Sequence, residues 1–393
     1  MSADLTSGPC MRCCFLRDVA AGITGAMNIV ELTQRCGFAA LVALPAGCMD
    51  LPVDADVEAR QGGGPGIDFD IGADGTPGFL LEDVQLRPGV TVDLFVNLYG
   101  SLDKASESKR CHFAVHGGVF AAASWRPYAK ALGEDACVLV TDMPVRGNSG
   151  VPQGALFGDL DLFDYVTAIE EVLERLDARK IRPRTILGHS MGGTLVQMLQ
   201  QRLVDAGSSL RKRFGIRDAI LVASDLPAEV PWALGDSGDL SGLIQAFAVE
   251  EPAYGSLFEI PVALWPAFYF TNRDGDVVPG ALTPAEIEAG GFNALGEPLR
   301  AIHQLNGTGP FTSRPSADAE LFEKKGTRLR AIAYEEDIYV QLAESETLYR
   351  HLSGDPASRC FVPVLGPDTV HVLQFSNPQA LVDAIADSED CHY

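Results

Sequence analysis

Ser190 is the residue of this chain best placed to act as a nucleophile. It stands at the centre of Gly188-His189-Ser190-Met191-Gly192, after the apolar run beginning near Arg184 and before the helix-period segment Thr194 to Val204. A strand, a sharp turn and a helix in that order force the central residue into a strained conformation, so the residues two before and two after it must be small. A free serine hydroxyl is a weak nucleophile and needs a nearby imidazole to take its proton. Of the seven histidines, His371 is the one in the loop between the last expected strand and the last helix. An acid must then hold the other ring nitrogen, and three candidates exist: Asp337, Glu336 in the same loop, and Asp225 after an earlier strand. The Met191 amide, at the start of a helix, can donate to a developing oxyanion.

The elements that would position these groups alternate. Phe79 to Leu86 and Thr91 to Tyr99 read as strands joined at Arg87-Pro88-Gly89, and Cys111 to Val115 as a strand ending in His116-Gly117-Gly118. Trp125 to Leu132 is helix-like, Ala136 to Thr141 is a strand, and Phe163 to Leu176 has helical periodicity. Strands over Ala219 to Ala223, Leu329 to Tyr334 and Cys360 to Leu365, a helix around Glu344 to Leu352 and a last helix from Pro378 complete the pattern. Such alternation implies a mostly parallel sheet covered on both faces, with functional groups at the carboxyl ends of the strands. The stretch between Asp225 and Leu329 is too long for a loop. Its rings include Phe247, Phe258, Trp265, Phe268, Tyr269 and Phe270.

The 393 residues are 47% hydrophobic and 21% charged, enough for a large core. The net charge of −23, from 30 Lys plus Arg against 53 Asp plus Glu, repels phosphate backbones and argues against a nucleic-acid partner. Residues 1–66 read as an extension and linker. The uncharged run Cys36 to Gly47 is too short to span a bilayer but suits the apolar region of an export signal. Cys48, after Ala46-Gly47, is a candidate lipid-anchor site. Export and a cytoplasmic extension both stay open, and oligomeric state is unread. Cys10-x-x-Cys13-Cys14 has no second ligand pair at metal-binding spacing. Cys111, Cys137 and Cys360 lie in or beside apolar runs and read as free core cysteines.

The order Ser190, Asp337, His371 is that of the α/β-hydrolase fold, and over about residues 78 to 390 the chain resembles that superfamily. The resemblance is to its capped branch, which contains esterases, lactonases and carbon-carbon bond hydrolases. His116-Gly117-Gly118 resembles the family's oxyanion turn, with Trp125 opening the next helix. Asp142-x-Pro144-x-Arg146-Gly147-x-Ser149 resembles its structural loop, where Arg146 is expected to bond within the loop. The segment His371 to Pro378 keeps the spacing from catalytic histidine to the proline of the last helix, although Thr369-Val370 replaces the usual glycine before His371.

The resemblance implies an α/β-hydrolase fold divided into core (67–228), a helical cap after the sixth strand (229–326) and core again (327–393). It implies Ser190, Asp337 and His371 as a catalytic triad and the Gly118 and Met191 amides as an oxyanion hole. Val119 is the neighbour to consider if the turn is shifted by one. Val119, Trp265 and Phe268 are the expected pocket residues. No cofactor or metal is implied. The expected activity is a serine hydrolase cleaving an ester or lactone of a small to medium hydrophobic substrate. A carbon-carbon (diketone-type) hydrolase and a non-catalytic binding protein of the same fold are the alternatives, because fold does not fix the substrate.

Overall fold

The computed structural model describes residues 69–102, 111–133, 136–237, 239–292, 296–322, 326–388 and 391. The expected linker, the Cys10-x-x-Cys13-Cys14 cluster, the export-like run and Cys48 lie outside the described residues.

The strands are β1 (Asp70–Ile71), β2 (Pro77–Arg87), β3 (Val90–Gly100), β4 (Cys111–Val115), β5 (Cys137–Thr141), β6 (Thr185–His189), β7 (Asp218–Val222), β8 (Ala248–Glu251), β9 (Gly255–Phe258), β10 (Glu297–Pro298), β11 (Arg328–Tyr334) and β12 (Phe361–Val364). Nine form one sheet in the order β1-β2-β3-β5-β4-β6-β7-β11-β12. The first three strands and the β3–β5 pair are antiparallel; from β5 through β12 all pairs are parallel.

Consecutive residues of the central strands face opposite cores. Phe113 and Ile186 belong to the larger core with Ile169 of the helix Leu162–Ala178 and Leu199 of the helix Met191–Asp205. Ala114 and Leu187 belong to the other, with Tyr128 of the helix Arg126–Leu132 and Leu381 of the helix Pro378–Asp387. A sheet buried on both faces explains why β4 to β7 read as near-continuous apolar runs. Helix starts follow local signals: Asp161 and Asp164 form a capping box before Leu162–Ala178, and Pro378 opens the last helix behind the Asn377 cap.

The residues between β7 and β11 differ from the helical content expected for them. They hold short helices together with a separate three-stranded antiparallel sheet in the order β10-β9-β8. Gly255, at φ 89°, enters β9 directly after the turn from β8, in a backbone region that favours glycine.

Two cysteine assignments change. Cys111 and Cys137 form a disulfide with Cα atoms 4.8 Å apart, and Cys360 is bonded to Cys391. The first pair are direct partners in the β4–β5 register. That adjacency comes from the crossover order of the sheet, so the cysteines' apolar surroundings alone could not distinguish free thiols from a bond.

Candidate active site

Ser190 sits at φ 52°, ψ −126° between β6 and the helix Met191–Asp205. A non-glycine residue there is strained by on the order of 1–3 kcal/mol, and the surrounding packing must enforce it. Its amide donates to Val222 O (3.1 Å), and Gly193 N donates to Ser190 O (2.8 Å). A Cβ added at Gly188 would lie 2.5 Å from Gly192 O, and one at Gly192 only 2.4 Å from Val115 O. Both glycines are therefore required by the close approach of backbone to backbone.

His371 lies in the loop after β12 and Asp337 in the loop after β11. His371 Nδ1–H donates to Asp337 Oδ2 at 2.9 Å, and both side chains are buried. Asp337 Oδ1 also accepts from the Tyr339 and Val340 amides (2.8 and 3.1 Å), which fixes the carboxylate within its own loop. Burial disfavours a charged His371 ring. The charge and hydrogen bond of Asp337, with the charge of Asp225, outweigh that and hold the ring above the ordinary imidazole value.

The other acid candidates stand differently. Glu336 accepts from the Arg273 amide (3.0 Å) at the surface. Asp225 lines the same pocket as Ser190 and His371, but its Oδ2 has no hydrogen-bond partner among the described residues. Burial, reinforced by the Asp337 charge and opposed by His371 and Arg314, pushes Asp225 up to about 6.

Ser190 and His371 open on one pocket of about 100 Å³, bounded also by Gly118, Val119 and Met191. Its walls include Trp232, Leu240, Ile244, Phe258, Phe268 and Tyr269, so most of its chemistry is apolar. Phe268 lies on the pocket wall. Trp265 stands behind it, packed edge-on against Phe120 with ring centroids 5.1 Å apart and its indole N–H donated to Ile260 O.

The Met191 amide is the first of its helix, where backbone N–H groups lack intrahelical acceptors. Gly118 lies beside Met191 at the pocket: a Cβ at Gly118 would be 3.6 Å from Met191 Sδ. The next amide in the turn, Val119 N–H, is already taken, donating to Glu297 Oε2 at 2.8 Å. His116 braces the turn from below, with Nδ1–H donating to Gly117 O (2.8 Å) and Nε2 accepting from the Met143 amide (3.3 Å). Burial holds its ring neutral, lowering it to about 4.

Two relationships around the site escaped the sequence. Arg146 does not bond only within its loop: Nη2 reaches Glu297 Oε2 (2.7 Å) and Gly296 O (3.0 Å). Glu297 itself, a single acid in a long insertion, carried no local signal. His189 is the other: its Nε2–H donates to His371 O at 2.8 Å, and its Nδ1 accepts from the Gln374 amide at 3.2 Å. Among the described residues no cluster of acids, histidines and cysteines could hold a metal ion, and no helix is long and apolar enough to cross a membrane.

The sequence profile of the Alpha/beta hydrolase family matches residues 113–384. No curated protein matches the chain by sequence. Among solved structures, it resembles a bromoperoxidase from Bacillus anthracis at 14% identity and TM-score 0.52, over 79% of this chain and 99% of that one. It also resembles an alpha/beta hydrolase fold protein from Chitinophaga pinensis at 17% identity and TM-score 0.50, over 81% of this chain and 98% of that one. Likenesses at this identity concern the fold.

Proposed function

Because this chain belongs to the alpha/beta hydrolase family, we propose that it is a serine hydrolase cleaving a carboxylic ester or lactone of a small to medium hydrophobic substrate. One observation carries the reading: a serine in a strained strand-to-helix turn shares a pocket with a buried histidine whose other ring nitrogen is bonded to a buried aspartate. That is the arrangement a hydroxyl needs to become a nucleophile at neutral pH.

The chemistry follows from the atoms. With Nδ1 committed to Asp337, the His371 Nε2 lone pair is left to take the Ser190 proton as Oγ adds to the substrate carbonyl carbon. The carbonyl π electrons move to oxygen, where the Gly118 and Met191 amides stabilise the charge. Collapse of this intermediate breaks the bond to the leaving alcohol, which takes the proton from His371 and leaves an acyl-enzyme. Water then repeats the sequence, losing a proton to His371 and releasing the acid and the free serine. In a lactone the leaving alcohol stays attached to the acid. Asp337 fixes the ring tautomer and stabilises the imidazolium as it forms.

The pocket's apolar walls favour a hydrophobic acyl or alcohol group. Most of them come from residues between β7 and β11, which act in this reading as a cap over the site. Two disulfides favour an oxidising compartment and so support export.

The test is a fluorophosphonate probe, together with p-nitrophenyl esters of increasing chain length, lactones and diketones. Ser190→Ala should abolish labelling and lower turnover by roughly 10⁴ to 10⁶. Wild-type protein that resists the probe, when a control serine esterase reacts, would leave only the non-catalytic reading. Activity confined to diketones would make it a carbon-carbon hydrolase.

A further inference from the structure

We infer that Glu297, carried by the insertion between β7 and β11, is a positioning residue for the oxyanion hole. It acts by holding the Gly118–Val119 peptide of the turn that presents the Gly118 amide. The inference rests on the serine-hydrolase reading and concerns a residue that never meets the substrate.

His116 holds Gly117 O, but the Gly118–Val119 peptide that follows has little else to fix it. Gly117 and Gly118 are adjacent glycines with wide backbone freedom, and the return bond from Phe120 N to Gly117 O is long, at 3.4 Å. Val119 is a β-branched residue at φ 60°, a conformation that such residues avoid. What compensates is the bond from the buried Val119 amide to Glu297 Oε2 (2.8 Å). Without an acceptor that amide would be buried and unsatisfied, and rotation of the Gly118–Val119 peptide would relieve both the strain and the orphaned donor. The adjoining Gly118 N–H would then lose its aim at the substrate oxygen.

The carboxylate is itself anchored from the core. Arg146, from the loop after β5, donates to Oε2 at 2.7 Å and to the neighbouring Gly296 O. Tyr165, on the helix Leu162–Ala178, donates its hydroxyl to Oε1 at 2.7 Å. Arg146 also settles an electrostatic conflict. Glu297 Oε2 lies 3.9 Å from where a Gly118 Cβ would be, close enough for an unpaired carboxylate to oppose a developing oxyanion. The ion pair, with both side chains essentially fully buried, cancels that charge. The oxyanion turn, the core and the insertion thus meet at one carboxylate, and seating of the insertion is coupled to competence of the hole.

A positioning role and a purely structural ion pair rank two substitutions oppositely. Glu297→Gln keeps the side-chain length: its oxygen accepts from Val119 and Arg146, and its NH₂ donates to the Tyr165 oxygen. Glu297→Asp keeps the charge but is one methylene too short to reach Val119 while meeting Arg146. Positioning predicts that Gln stays within about threefold of wild-type kcat, whereas Asp loses about 10- to 100-fold with KM nearly unchanged, less than deletion of a whole oxyanion donor.

The second readout is an alkyl trifluoromethyl ketone. Ser190 Oγ adds to its carbonyl carbon, the Ser190 proton passes to His371, and the resulting oxyanion sits in the hole. Its Ki should rise in Glu297→Asp by the same factor as kcat falls, while the Ki of the product acid stays constant. If Asp is the more active variant, or kcat falls with no change in the ketone's Ki, the positioning role is overturned. A wild-type enzyme insensitive to the ketone and active without Ser190 would instead sink the serine-hydrolase reading itself.

Discussion

His189 holds the loop of His371 by its backbone, donating Nε2–H to the His371 carbonyl oxygen at 2.8 Å. The residue before Ser190 therefore fixes the height of the histidine that, in the proposed reaction, would activate it. Because Nε2 must carry the proton to meet a carbonyl, Nδ1 is the acceptor for Gln374, and the ring is neutral. Burial first, then the nearby His371 charge, keep it so. His189→Phe removes the donor but retains a ring, and it should cost about 10- to 100-fold in kcat through misplacement of His371. Steady-state kinetics beside a melting curve would check this; an unchanged kcat in a folded variant would make the bond incidental.

The pH dependence of kcat/KM should show an acid limb set by His371. The base works only when neutral, and Asp337 holds its pKa above the ordinary value of about 6.5. Activity should thus rise with pH through a midpoint above that value. In Asp337→Asn the larger raising influence is lost, leaving only that of Asp225, while burial, which favours the neutral ring, remains. Residual activity about 10⁴ lower should therefore have its acid limb shifted to lower pH. Rate profiles from about pH 5 to 9 distinguish this from a limb that stays in place.

Asp225→Asn should be far less damaging to turnover than Asp337→Asn, because it is Asp337 that bonds the His371 ring. It should also stabilise the protein. The folded-state value of Asp225, about 6, exceeds the ordinary 3.8 because of burial, so the native state holds that proton more tightly than the unfolded chain does. The stability this contributes is complete below about pH 4 and is lost as pH rises through about 6. Asparagine mimics the neutral form, so the variant should gain on the order of 2 kcal/mol above pH 6 and nothing at low pH. Denaturant melts at two pH values test the sign, and a larger activity loss than in Asp337→Asn would reassign the acid.

Reduction should weaken the fold. The Cys111–Cys137 bond closes a loop with sequence separation 26, for which the chain-entropy account gives about 3 kcal/mol. The double variant Cys111→Ser, Cys137→Ser should lower the melting temperature, and added dithiothreitol should then lower it further through Cys360–Cys391, the other disulfide among the described residues. A wild-type melting temperature insensitive to reductant, with both thiol pairs reactive, would show that the bonds do not form in solution.

Local chemistry made the strands, the helix starts and the nucleophile turn legible in the sequence. The clash that demands glycine at 188 and 192 involves nearby backbone, and the apolar runs of β4 to β7 register burial on two faces within a few residues. Chain order then brought Asp337 and His371 forward as partners for Ser190. The identity of the acid needed geometry, because Asp225, Glu336 and Asp337 are equivalent carboxylates until one of them is seen to bond His371 Nδ1.

What the tertiary structure alone decided are the contacts between residues far apart in the chain. The sequence distance from Val119 to Glu297 is 178 residues and from Arg146 to Glu297 is 151, so no periodicity or spacing rule links them. Cys111 and Cys137 meet because the crossover order sets β4 beside β5, and the β8–β10 sheet needs β10 to pair with β9 from about forty residues further along the chain. By itself, the sequence determined which residues could react; the packing of the insertion against the core decided that the Val119 amide of the glycine turn is bonded to Glu297.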